Sequence, residues 1–182
     1  LLRKGLSLLQ PPLGIFATTT RDRLLRRDAK GESVWDTKLG YKASTQPLYL
    51  FEDRVFVFSQ PAGVHVHEVE TGEELTPEKL DESLAAVLGD VKENLLRPPI
   101  EVGEGQLVLV SASGLKRLDL AEKRVAWKLQ RPGAIEEVFH FTESPDECLV
   151  VSSSRANRWP ALVAVSLEDG RELWRFEKFP PE

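Results

Sequence analysis

The chain has 182 residues, 41% hydrophobic and 29% charged, with a formal net charge of −5. That is enough for one domain with a real core or for four repeats of about 45 residues, and the acidic balance argues against nucleic acid as the main partner. No run approaches the roughly 18 apolar residues of a membrane span, and the single cysteine, Cys148, excludes an internal disulfide or a multi-cysteine metal site.

The first twelve residues, LLRKGLSLLQPP, hold a basic pair but no long apolar run, so they do not read as an intact signal peptide. The chain contains no methionine. The expectation is a processed protein or a piece of a longer one.

From there the sequence falls into short runs that alternate in period two, as half-buried strands do. The first unit, residues 6–37, reads as strands Leu6 to Gln10, Gly14 to Thr20, Arg23 to Asp28 and Glu32 to Thr37. The second, residues 47–76, reads as Pro47 to Phe51, Arg54 to Ser59, Val64 to Val69 and Glu73 to Thr76. Residues 77–98 break the pattern. Leu80, Leu84, Val87, Leu88, Val91 and Leu95 share one helical face. Thr76 can cap this helix with Pro77 at its first position, Gly89 weakens its middle and can split it in two, and Pro98 and Pro99 end it. Its apolar face can cover the protein's own surface or dock a partner.

The third unit, residues 99–129, reads as Pro99 to Val102, Gln106 to Ser111, Leu115 to Leu120 and Arg124 to Leu129. The fourth, residues 136–176, reads as Glu136 to Phe141, Glu147 to Ser153, Ala161 to Leu167 and Arg171 to Phe176. Cys148 sits in an apolar run and reads as an inert buried thiol.

The units align on a turn and the residue four positions later: Gly31 and Trp35, Gly72 and Thr76, Lys123 and Trp127, Gly170 and Trp174. These anchors lie 41, 51 and 47 residues apart. That spacing is the signature of four-stranded propeller blades. The expected fold is all-β: a propeller of about four antiparallel blades with one helical insertion. Trp35, Trp127 and Trp174 are expected to pack between blades.

The order apolar strand, small-residue turn, apolar strand, Gly turn and Leu-Trp resembles the PQQ-like β-propeller repeat family, of quinoprotein type or BamB type. Blade 2, with Thr76 in place of the tryptophan, departs most from it. The resemblance implies rings of seven or eight blades. Four blades would be a small closed ring or half of a larger one completed by another segment. The resemblance also favours an extracytoplasmic location. A quinoprotein dehydrogenase would need adjacent cysteines, calcium ligands and a catalytic aspartate, a set this sequence does not show. No cofactor or metal is therefore expected.

Loop position sorts the charges. The A-to-B and C-to-D turns collect Glu52, Asp53, Glu70, Glu104, Asp146, Glu147, Glu168 and Asp169, and the opposite side collects Arg21, Arg23, Lys42, Arg131, Arg155 and Arg158. The segment SSSRANRWP, residues 152–160, reads as a long polar loop carrying Arg155, Arg158 and Trp159. Arg and Trp dominate interface energetics. The candidate partner-binding residues are therefore Arg155, Arg158, Trp159, Arg21, Arg23 and Arg131. His65 and His67 share one face of a strand, but no third metal ligand is evident nearby. His140 reads as an ordinary strand residue. No nucleophile-elbow, zinc-protease or phosphate-loop motif is present.

The function these residues favour is a non-enzymatic protein-interaction scaffold within a multi-subunit assembly. The alternatives are a sensor or substrate-binding region of an enzyme whose catalytic residues lie elsewhere, and, less favoured, a quinoprotein oxidoreductase.

Overall fold

The computed structural model describes residues 8–9, 14–19, 22–43, 48–60, 63–89, 95, 99–111, 114–130, 134–141, 148–155 and 158–176. The chain divides into two compact units, Leu1–Asn94 and Leu95–Glu182. Each holds two antiparallel sheets, and each sheet is one blade of an all-β propeller.

Blade 1 runs β1 (Leu8–Leu9), β2 (Ile15–Thr19), β3 (Arg23–Arg27) and β4 (Ser33–Lys38), paired in that order. Blade 2 contains β5 (Lys42–Ala43), β6 (Tyr49–Phe51), β7 (Arg54–Gln60), β8 (Val64–Glu68) and β9 (Glu74–Leu75). Its first strand is split, a feature the sequence pattern did not reveal. β6 pairs the start of β7 through Phe51 and Arg54, and β5 pairs its end through Ala43 and Ser59. Blade 3 is β10 (Ile100–Gly103), β11 (Gln106–Ser111), β12 (Gly114–Asp119) and β13 (Arg124–Gln130). Blade 4 is β14 (Ala134–Phe141), β15 (Cys148–Arg155), β16 (Arg158–Ser166) and β17 (Glu172–Phe176).

The insertion differs from one continuous helix. Pro77–Lys79 form a single 3-10 turn, and Thr76 at its N-cap makes no side-chain cap to it. Leu80 is extended, so the helix cannot run on from there. It restarts as α1 (Glu82–Gly89), capped by Asp81, whose Oδ1 accepts from the Leu84 N–H at 3.0 Å. Its described residues run to Gly89. Leu84 and Val87 are its buried residues. Leu95, placed on the helical face by periodicity, instead forms a β-bridge to Ser111. Val91 lies outside the described residues.

Within each unit the two blades are joined by the same device. In unit 1 the Trp35 indole Nε1–H donates to the Val69 carbonyl at 2.9 Å, and Arg26 donates to that same oxygen at 3.0 Å. Arg26 is the cross-strand partner of Trp35. In unit 2 Trp127 donates to the Leu167 carbonyl at 2.8 Å. Arg117, the cross-strand partner of Trp127, donates to the same carbonyl. Each indole lies over a glycine of the next blade's C-to-D turn. A Cβ on Gly72 would stand 2.6 Å from the Trp35 ring, and one on Gly170 would stand 2.8 Å from the Trp127 ring. Both glycines have positive φ, +72° and +74°, so only glycine fits both the turn and the contact.

The cores grow around these clasps. In unit 1 Phe16 and Leu24 pack with Val55, Val57 and Val69 of blade 2. In unit 2 Val108, Val110 and Leu115 pack with Leu149, Val151, Val163 and Val165 of blade 4. Trp127 is buried, whereas Trp174 is 48% exposed. The interblade packing expected of Trp174 is therefore absent in unit 2, because no described blade follows β17 in that unit. Cys148 is buried.

The clasp gives a direct contrast. Trp127→Ala should lower stability by about 3–5 kcal/mol, the usual loss for a buried Trp truncation. Trp174→Ala should lower it by no more than about 1 kcal/mol, as an exposed site does. Urea unfolding of both variants beside wild type checks the difference; equal losses would mean that the clasp does not hold unit 2 together.

Candidate functional site

Among the hairpins of the inner strand pairs, that of β15 and β16 is the longest described. Its strands have 8 and 9 residues, against 6 and 6 for the matching strands of blade 3 and 5 and 5 for those of blade 1. The sequence suggested a loop over residues 152–160. The backbone instead continues in strands through Arg155 and from Arg158, which are cross-strand partners. Between the pairs Ser153–Ala161 and Arg155–Arg158, two residues on β16 face one on β15, a bulge at Pro160. Proline has no N–H for the ladder and is tolerated at such a place. Among the described residues the β17 ladder reaches Leu162, which pairs with Phe176. Arg155, Arg158 and Trp159 thus belong to an over-long hairpin rather than a loop. Here only the backbone path is described.

The other candidates do not assemble around it. Arg21 and Arg131 lie outside the described residues. Arg23 opens β3 and pairs with Asp36 at 2.9 Å, an interaction that holds its guanidinium proton still more firmly. In unit 1 the acidic turns do share one end of the sheet: the Val69 N–H donates to the Asp53 carbonyl at 2.9 Å. Glu70 there is paired with Arg26 at 3.0 Å. In unit 2 the Leu120 N–H donates to the Gly105 carbonyl at 2.8 Å, which ties the Glu104 turn to the turn after β12. Asp146 and Glu147 lie outside the described residues.

His65 and His67 form a cluster that spacing alone did not resolve. The Tyr41 ring stacks on His65 with centroids 3.4 Å apart, and its hydroxyl bonds His67 Nε2 at 2.8 Å. His67 Nδ1 reaches the Gly72 carbonyl at 3.0 Å. A carbonyl only accepts, so Nδ1 carries the hydrogen, and in the neutral ring Nε2 accepts from Tyr41. His65 Nδ1 contacts Glu74 at 2.7 Å and its Nε2 contacts Ser59 at 3.0 Å. All four ring nitrogens are thus engaged, and among the described residues no group of three or more His, Cys, Asp or Glu could hold a metal ion. Because Gly72 lies beneath Trp35, His67 props the turn on which the unit 1 clasp rests. Burial pushes His67 below its ordinary value and pushes the Tyr41 phenol up, which keeps this hydrogen-bonded arrangement neutral.

Sequence reasoning missed Arg26, Arg117, Tyr41, Ser59 and Glu74. The arginines had a signal: each stands nine or ten residues before its tryptophan, directly across the hairpin.

A family model described as outer membrane protein assembly factor BamB matches residues 21–178. The chain belongs to this PQQ-like, BamB-type propeller family. The solved structures agree on the fold. BamB from Moraxella catarrhalis is 17% identical, with a TM-score of 0.51, over 94% of this chain and 60% of that one. KlHsv2 with loop 6CD replaced by a Gly-Ser linker is 12% identical, with a TM-score of 0.62, over 96% and 53%. The computationally designed Ika8 protein is 11% identical, with a TM-score of 0.59, over 94% and 48%. The chain thus spans 48–60% of the length of these proteins. No curated protein sequence matches it. Among the described residues no helix is long and apolar enough to cross a membrane.

The His67 geometry fixes a pH dependence. With its folded value lowered, the unfolded chain takes up this proton at a higher pH than the folded one does. The stabilisation is complete above about pH 6.5 and falls as the pH drops below it. Urea midpoints at neutral and mildly acidic pH should show wild type losing more stability on acidification than His67→Gln. An equal loss in both proteins would remove His67 from the account.

Proposed function

We propose that this protein is a non-enzymatic interaction scaffold: a BamB-type propeller segment that holds protein partners in a larger, extracytoplasmic assembly. The observation that carries the reading is the over-long β15–β16 hairpin. It extends one blade edge beyond its counterparts and places two arginines and a tryptophan, Arg155, Arg158 and Trp159, in a short stretch of strand. Fully buried Arg and Trp anchors carry most of the energy of protein interfaces. Membership of a family described as an outer membrane protein assembly factor supports both the scaffold class and the compartment. The net charge of −5 disfavours nucleic acid as the partner.

Affinity capture from the source organism's extracytoplasmic fraction tests this, with wild type beside an Arg155→Ala, Arg158→Ala, Trp159→Ala triple variant. A specific partner should be retained by wild type, and its binding should weaken in the variant by more than about 2 kcal/mol, roughly thirtyfold. Capture of the same partner with unchanged affinity would reject the hairpin as the contact.

A further inference from the structure

Ser59, His65 and Glu74 form an arrangement of their own beside the His67 contact. Val57 and His65 are cross-strand partners, and so are His67 and Glu74. Side chains alternate along a strand, so Ser59, His65 and Glu74 share one face of three adjacent strands. His65 Nδ1 lies 2.7 Å from a Glu74 carboxylate oxygen, and His65 Nε2 lies 3.0 Å from the Ser59 hydroxyl. A carboxylate only accepts, so in the neutral ring Nδ1 carries the hydrogen. Nε2 then presents its lone pair, and the Ser59 Oγ–H donates to it. A hydroxyl, a base within hydrogen-bond reach and a third group that orients the base are what activate a serine nucleophile.

The surroundings hold the base still and leave it reachable. The Tyr41 ring lies 12° from parallel to the His65 imidazole, and the Tyr41 hydroxyl is held by His67, so the plane of the base is fixed. Gly63 leaves space at the reacting pair: a Cβ there would stand 2.9 Å from Ser59 Oγ and 3.5 Å from His65 Nε2. Solvent reaches the site, with the His65 side chain 25% exposed and that of Glu74 41% exposed. The repeat itself does not ask for this base. Leu25, Lys116 and Val163 hold the place of His65 in the other blades, paired with Ala17, Leu109 and Val151 as His65 is with Val57. Two residues on from those partners stand Thr19, Ser111 and Ser153. A hydroxyl residue therefore recurs in every blade, and the histidine set against it belongs to blade 2.

We propose that Ser59 is an acylation site, at which the chain takes a short acyl group from an activated carboxylic ester. The Ser59 Oγ–H proton passes to His65 Nε2 as Oγ bonds to the ester carbonyl carbon. The tetrahedral adduct then breaks its bond to the ester's leaving oxygen, and the imidazolium gives the proton to that oxygen. The products are acyl-Ser59 and a free alcohol, with no change of oxidation state. Glu74 is a positioning residue: it holds the Nδ1–H tautomer and stabilises the imidazolium as it forms. The opening beside Oγ is that left by the missing Gly63 side chain, which restricts the acyl group to a short one. The step is a single transfer that modifies the scaffold, and it does not rest on the β15–β16 hairpin or on the partner proposed there.

The probe is p-nitrophenyl acetate, an activated ester, added to the folded 182-residue chain. Release of p-nitrophenolate, intact mass and peptide mapping should show an acetyl group on Ser59. It should form about a hundredfold faster than on Ser59 of the urea-unfolded chain, the lower end of what a positioned base supplies. Ser59→Ala should lose this adduct. His65→Gln should slow its formation about a hundredfold, with circular dichroism showing folded protein. Glu74→Gln should slow it about tenfold or more, and Glu74→Asp should recover part of that loss. The Arg155→Ala, Arg158→Ala, Trp159→Ala variant should be acetylated like wild type, which separates this test from that of the partner. Acetylation confined to lysines and the N-terminus would overturn the proposal. So would a Ser59 that reacts no faster folded than unfolded, or an unchanged rate in folded His65→Gln.

Discussion

An indole N–H aimed at a single backbone carbonyl organises this protein. A four-stranded sheet has two faces to bury and cannot bury either alone. The Trp35 and Trp127 clasps solve this by fixing where the next sheet lies. The donor needs a turn carbonyl, the ring needs a glycine beneath it, and the adjoining arginine needs the same oxygen. Those three demands set the spacing of the blade pair before any aliphatic contact is counted. The valine and leucine cores then fill the space so defined.

The clasp also gives the histidine cluster its meaning. Two histidines on one strand face invite a metal-site interpretation. The Tyr41 hydroxyl and the Gly72 carbonyl use up both nitrogens of His67 instead, and the interaction ends on the turn that carries Trp35. Its consequence is mechanical, since loosening His67 loosens the platform for the indole. The chemistry of the residues is ordinary, and their position in the blade decides what they do.

Much of the architecture was legible in the sequence. Period-two alternation and the recurring turns pointed to an all-β propeller of antiparallel blades, because strand faces and positive-φ turns impose strict residue choices. The departures have local causes. Polar Ser152, Ser153, Ser154 and Asn157 made the long hairpin look like a loop, although serines are acceptable in a strand held by its register to both neighbours. The Thr-Pro pair at Thr76 looked like the helix start, whereas Asp81 is the residue that caps the helix. Aligned tryptophans looked equivalent, yet their burial depends on whether another blade follows, which no local pattern encodes. The candidate site was legible as composition, in the arginines and Trp159, and not as shape. Side chains that bond across blades, such as Arg26 and Arg117, were invisible because their acceptors lie about fifty residues away.

Thr76 carries a further consequence. It ends the one blade with no indole to seat, and the helical insertion follows it directly. A connection that leaves a clasped strand is constrained in length, because any slack would shift the ring off its glycine. A connection that leaves an unclasped strand has no such ruler. Loss of one aromatic residue thus opens a tolerated place for growth, where new segments are accepted without disturbing the joints on either side. In a repeat protein of this kind, novelty accumulates after the strand that has lost its ring.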